Sequence, residues 1–175
     1  MKKIRSQKPI AATLIFLFFL NGCYVFDFVN QPYAADPNSF FNVQISITYN
    51  EPFGGAGELS YFGILLPNGW DTADSIEYFN ATTNETGVMK YSDSLTQQMS
   101  SIDPPPLDYH WWVGMDSFSA KEDATFISEL KIYTDSQTGT FFIDYMLGDN
   151  FNGLNYKRSN DHLIIAGDPV GCFRR

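Results

Sequence analysis

Along residues 40–49, FFNVQISITY, apolar and polar side chains alternate without a break. Phe41, Val43, Ile45, Ile47 and Tyr49 share one face; Asn42, Gln44, Ser46 and Thr48 share the other. A period of two marks a strand with one buried face, because successive strand side chains point to opposite sides. Similar reading gives strands at YVFDFV (24–29), ELSYFGILL (58–66), SIEYF (75–79), GVMKYS (87–92) and YHWWVGM (109–115). TFISELKIY (125–133), GTFFIDYML (139–147), LNYKR (154–158) and HLIIA (162–166) complete the set. Turn chemistry separates them: PNG at 67–69, TDSQTG at 134–139 and GDNFNG at 148–153. No stretch sustains the 3.6-residue apolar period of a helix. SSIDPPPLDY (100–109) is the one long irregular connection, its three prolines stiffening it and barring it from a central strand. Many short strands, with aromatic residues at 17%, predict an antiparallel β-sandwich over residues 23–167.

The first 22 residues break this pattern. Lys2, Lys3, Arg5 and Lys8 precede or border an eleven-residue apolar run, Ile10 to Leu20. A bilayer-spanning helix needs roughly 20 apolar residues, so the run reads as a secretory signal over 1–22. Its end, Leu20-Asn21-Gly22-Cys23, resembles the lipobox of bacterial lipoproteins, with Leu three before the Cys and a small residue directly before it. That resemblance implies cleavage before Cys23, a diacylglycerol on its sulfur and an acylated amine. Two or more chains anchor stably, each buried methylene adding about 0.8 kcal/mol. The first strand then begins almost at the anchor, which leaves no stalk.

Charge sharpens the partner class. The whole chain carries −9. Four of its 11 basic residues and none of its 20 acidic ones precede Cys23, which leaves 7 against 20, or −13. Nucleic acid and anionic lipid headgroups both need clustered positive charge, so neither is an expected partner. With Cys23 lipidated, Cys172 stands alone, so no internal disulfide is expected. Residues 168–175, which hold it, read as a disordered tail.

Motifs for catalysis are thin. FGGAGELS (53–60) lacks the Lys-Ser/Thr of a phosphate loop and precedes a strand where that motif needs a helix. DNFNGLN (149–155) has Phe151 where a calcium loop wants its third-position oxygen, and no late Glu. His110 and His162 have no zinc spacing around them, and there is no G-x-S-x-G elbow. Carboxylates are plentiful, but spacing along a sandwich does not fix their geometry. No enzyme, metal or cofactor is therefore expected. The aromatic group is more informative: in a strand, Trp111 and Trp112 point to opposite faces. One sits in the core. The other, with Tyr109 and His110, either offers a flat platform for a sugar ring or a protein, or lies covered by Pro104-Pro105-Pro106. Trp70 reads as a cap on one end of the sandwich.

The segments QPYAADPNSFFNVQISI, YFGILLPNGWDTADSIEY, YHWWVGM, QTGTFFIDYMLGD and GLNYKRSNDHLI resemble, in the same order, segments of Bacteroidetes lipoproteins that begin with an immunoglobulin-like sandwich. Their shared phrases are a Leu-Pro-x-Gly-Trp turn, a Trp-Trp-Val-Gly strand and an Asn-Tyr-x-Arg-Ser segment. The resemblance implies an immunoglobulin-like form for the sandwich, and it carries no catalytic residue. Longer relatives add further domains in settings of polysaccharide handling. This chain departs from them at Leu163, where they show proline, and in GDPVGCFRR. The resemblance also makes Asp71-Thr72-Ala73, Asp74-Ser75-Ile76 and Asp93-Ser94-Leu95 similar to the O-glycosylation signal of that phylum, with Thr72, Ser75 and Ser94 as acceptors.

The combined expectation is a non-catalytic, lipid-anchored binding or scaffolding module of the outer membrane, on its periplasmic or its cell-surface face. The sharper version is a glycan-binding accessory of a polysaccharide-utilisation system, with Tyr109 and Trp111 or Trp112 as platform; a third is a fragment of a longer polysaccharide-active enzyme. Expected partners are the membrane, through Cys23, and a polysaccharide or an outer-membrane protein.

Overall fold

The computed structural model describes residues 23–50, 58–118, 124–150 and 155–167. The expected signal, the tail with Cys172, glycine-rich residues 53–57 and turn residues 151–154 lie outside that set. In chain order the described elements are β1 (Cys23–Asn30), β2 (Ala34–Ala35), β3 (Phe40–Asn50), β4 (Glu58–Pro67), β5 (Asp71–Thr72) and β6 (Ser75–Asn80). They continue with β7 (Glu85–Tyr91), helix α1 (Asp93–Ile102), β8 (Tyr109–Phe118), β9 (Ala124–Tyr133), β10 (Gly139–Asn150) and β11 (Asn155–Ala166).

Hydrogen bonding runs in the order β1-β3-β9-β6-β7-β8-β4-β10-β11-β2, with β5 paired to β9. The described pairings are antiparallel except β2 with β11. At β7–β8 only Lys90↔Met115 and Tyr91↔Gly114 pair, so the path bends there into two facing sheets. Asp116 reinforces the bend, accepting from Tyr78 Oη at 2.8 Å and Val88 N at 3.3 Å.

Alternation in β3 decides which face is inside. Phe41, Val43, Ile45, Ile47 and Tyr49 are all buried, as their spacing predicts, and they meet Phe62, Ile64 and Leu66 of β4 and Ile143, Tyr145 and Leu147 of β10. A one-residue slip would turn every one of these outward, so the pattern fixes the register. The result is an all-β, antiparallel sandwich.

Beyond the two-residue strands β2 and β5, which no sequence pattern marks, two elements differ from expectation. Residues 93–102 form a helix, which absorbs Ser100, Ser101 and Ile102 from the expected irregular stretch. Ser92 caps it, its Oγ accepting from Leu95 N at 3.4 Å, and Asp93 complements the positive end of the helix dipole. Leu95 and Met99, four apart, place one short apolar face over Leu65, Trp111, Val113 and Met146 on the outer side of a sheet. Full burial of Met99 stabilises that contact by about 1.5–3 kcal/mol. The other difference is β11, one strand where two were expected. Its pairing with β10 shifts register between Ile143 and Tyr145, and Asp161 takes φ +60 there. A bulge bridges the polar SND interruption without ending the strand.

Candidate functional site

The cleft at one end of the sandwich begins with a turn. Trp70 N donates to Pro67 O at 3.0 Å, and Gly69 has φ +88. Positive φ at the third position is the type II requirement, which glycine meets without strain. A β-carbon at Gly69 would also run into the Asp135 carboxylate. The turn carries the chain from β4 across to β5, which pairs with β9 in the facing sheet. Trp70 thereby enters the core, 1% exposed, with Phe41 at 6.0 Å and Phe141 at 5.0 Å between ring centroids. It closes the sandwich end, as the sequence indicates.

The cleft opens where β7 stops pairing with β8. Beyond Tyr91↔Gly114 the chain leaves into α1, and Ser92 N donates to Val113 O at 3.0 Å. Between the start of β8 and the β5–β6 connection lies a space of about 430 Å³, lined by Gly69, Trp70, Asp71, Asp74, Tyr91, His110, Trp111 and Trp112. Ligand sites commonly measure about 300–1,000 Å³. A second cavity, in the core beside Tyr24, Ile45 and Phe62, is about 40 Å³, far below that range.

Tyr91 supplies the accessible aromatic surface. It is 37% exposed, and its ring is 5.8 Å from Trp112, tilted by 37°. Its backbone N–H donates to Asp74 O at 2.8 Å. Burial pushes the phenol above its ordinary value; Asp93 and Asp71 add to this and Thr96 opposes it. Gly114 allows the arrangement, since a β-carbon there would lie 2.6 Å from the Trp112 ring. Asp71 and Asp74 are exposed at the rim. Half-burial pulls the His110 imidazole below 6.5, against an opposing pull from Asp71. At neutral pH the lining thus offers a neutral imidazole, two carboxylates and an aromatic face, with no Lys or Arg among the described residues.

The expected platform of Tyr109, Trp111 and Trp112 does not form. Trp111 is 2% exposed beneath α1, its Nε1 donating to Asp103 O at 2.9 Å, and Trp112 is 3% exposed in the core. The covering element is the helix, with the Arg158 guanidinium 5.3 Å above the Trp111 ring; Pro104 and Pro106 are themselves exposed. Tyr109 packs against the same outer cluster as Trp111, stacked on Phe142 at 4.3 Å. Of the expected glycosylation acceptors, Thr72 is corrected: it is buried, and its hydroxyl donates to Lys131 O at 2.7 Å. Ser75 and Ser94 are exposed, at the start of β6 and in the first turn of α1. Cys23 opens β1 opposite Asn50.

Sequence spacing gave no hint of a polar cluster on β10 and β11. Arg158 donates to Asp103 Oδ2 at 2.6 Å and to Asp144 Oδ2 at 2.7 Å, while Asp144 Oδ1 accepts from Asp161 N at 2.7 Å. Ser159 Oγ and His162 Nε2 are 2.7 Å apart, and burial lowers the imidazole below 6.5. Three residues apart on one bulged strand, this pair is a local bulge contact. Among the described residues no group of three or more potential metal ligands comes together, and no helix is long and apolar enough to cross a membrane.

No protein-family model and no curated protein matches the chain. Among solved structures, the chain is similar to AvmM, which catalyses macrocyclization in alchivemycin A biosynthesis, at 10% identity and TM-score 0.47, over 86% of this chain and 92% of that one. The collagen-binding subdomain of the Enterococcus faecalis surface protein ACE gives 11% and 0.38, over 81% and 97%. A cohesin module from a Clostridium perfringens family 33 glycoside hydrolase gives 10% and 0.41, over 83% and 98%. At such values no activity follows from the likeness.

Proposed function

We propose that this protein is a non-catalytic binding or scaffolding module, tethered to the outer membrane through a lipid on Cys23. One observation carries the reading: the cleft and Cys23 lie at opposite ends of the sandwich. Cys23↔Asn50, Tyr49↔Ala124 and Glu58↔Phe118 mark one end; Pro67↔Tyr109 and Asp71↔Tyr133 mark the other. The ten residues of β4 bridge the two ends, about 33 Å at about 3.3 Å per residue. A lipid at Cys23 would hold one end at the bilayer and leave the cleft facing away from it.

The test is metabolic labelling of the full chain with radioactive palmitate, beside a Cys23→Ser variant. Label in the wild type alone, with the variant released from the membrane fraction, is the expected result. Equal membrane association of both would remove the anchor from the reading.

A glycan-binding accessory is the finer version, favoured by an exposed tyrosine face beside two carboxylates. Release of reducing ends from a polysaccharide by the purified chain would overturn the non-catalytic part.

A further inference from the structure

We infer that the cleft takes a neutral sugar ring, seated on Tyr91 with its hydroxyls on Asp71, Asp74 and His110, and discriminates against anionic sugars. This rests on the binding-module reading and names the ligand class of that same site. Tyr91 is held from two directions before any ligand arrives: its amide on Asp74 O and its ring against Trp112. A ring fixed in this way loses little freedom on binding, which is the condition for a stacking surface to contribute affinity. Its open part presents an apolar face to the axial C–H groups of a pyranose.

The polar lining selects among ligands. A carboxylate only accepts hydrogen bonds, and a neutral imidazole both donates and accepts. Asp71 and Asp74 therefore ask for donors, while His110 offers one N–H and one lone pair. A hydroxyl meets all of these, since it donates and accepts at once. A cationic side chain would satisfy the carboxylates and the aromatic face but leave the imidazole N–H without an acceptor. A uronate, sialate or sulfate would bring negative charge against two carboxylates, in a lining whose described residues include no Lys or Arg to offset it. The buried Trp70 indole lines the same space, and among the described residues its Nε1 has no hydrogen-bond partner.

The test is calorimetry on the detergent-solubilised full chain. The neutral probes are hexasaccharides of glucose, mannose and xylose; the others are oligogalacturonate, a heparin hexasaccharide and an oligoarginine peptide. The expected result is binding of at least one neutral hexasaccharide, at least about tenfold tighter than either anionic one. Tyr91→Ala should weaken it by about tenfold or more, while Tyr91→Phe stays within about threefold. Circular dichroism and thermal melts of both variants establish that the fold is kept. Silence across the neutral panel, tighter binding of an anionic sugar or of oligoarginine, or an unchanged Tyr91→Ala would each overturn the inference. Failure of the anchor shows separately: an intact mass without the diacylglyceryl group, together with neutral sugar binding, removes the tether and leaves this site standing.

Discussion

Replacing Arg158 by Met tests how the outer helix is fastened to the sandwich. The guanidinium bridges Asp103, directly after α1, and Asp144 of β10, and lies over the Trp111 ring. The Asp144 side chain is only 7% exposed, whereas Asp103 is 27% exposed. Removing the cation leaves Asp144 as a buried carboxylate whose remaining described partner is Asp161 N. Breaking a buried pair from one side costs about 3–5 kcal/mol. Arg158 is itself 25% exposed, so water reaches the site and the lower figure applies, about 3 kcal/mol. Met keeps the apolar stem over Trp111, which confines the loss to charge. For a chain of this size about 3 kcal/mol corresponds to a fall in Tm of about 6–12 °C. Adding Asp144→Asn removes the stranded charge and keeps an acceptor for Asp161 N. The double variant should regain about 2 kcal/mol of the loss. Urea denaturation followed by Trp fluorescence reads both effects from the midpoint and slope. A single variant losing less than about 1 kcal/mol, or a double variant no better than the single, would show that the network does not fasten the helix.

Three further outcomes follow from single features. Ser92→Ala removes the α1 cap and should cost about 1 kcal/mol, with faster amide exchange confined to the first turn; uniform exchange would contradict a local cap. Gly69→Ala places a β-carbon at φ +88 against Asp135 and should cost more than about 1 kcal/mol in urea; an unchanged midpoint would refute the type II turn. His110 and His162 are both held below 6.5, burial being the main cause in each, against opposing pulls from Asp71 and from Asp144 and Asp161. Below 6.5 the unfolded chain binds more protons than the folded one, so this stabilisation is complete above that pH and declines as pH falls through it. Urea midpoints should drop between about pH 7.5 and 5.5, and drop less in a His110→Gln, His162→Gln double variant; a rise on acidification would reverse the sign.

How much of this is legible in the sequence depends on the range of the interaction that decides it. Strands β3 and β9 are legible because each buries one face, and burial writes a period of two into the chain; β4 and β10 are buried on both faces, and their near-continuous apolar runs mark them instead. Helix α1 is not obvious because it buries so little. Only Met99 is fully covered, and its neighbours are Ser, Thr and Gln. Its signals are local ones, the Ser92 cap, Asp93 behind it, and the spacing Leu95, Met99, Ile102, and each is weak beside the proline run that follows. The break in β11 misleads for a related reason. A polar SND triplet reads as a turn, yet Asp144, on the neighbouring strand, accepts the Asp161 amide and keeps the strand going. No local pattern reports a partner on another strand.

The site follows the same division. Strand parity correctly sends Trp111 and Trp112 to opposite faces, but parity is silent on what covers each face. Here a helix covers one and the facing sheet the other, so indoles that look like a platform in sequence are core in space. All three tryptophans, Trp70, Trp111 and Trp112, are at most 3% exposed, whereas Tyr91, unremarked in its own strand, keeps 37%. The reason is energetic. The largest apolar surfaces gain most from burial, so a chain this rich in aromatic residues places its indoles inside first. An aromatic available to a ligand must be held in place by something other than burial, and Tyr91 is, by the end of a ladder, its amide bond to Asp74 O and its contact with Trp112. Such positions occur where pairing stops, at β7 against β8, and a pattern of residues along one strand does not record where its neighbour departs.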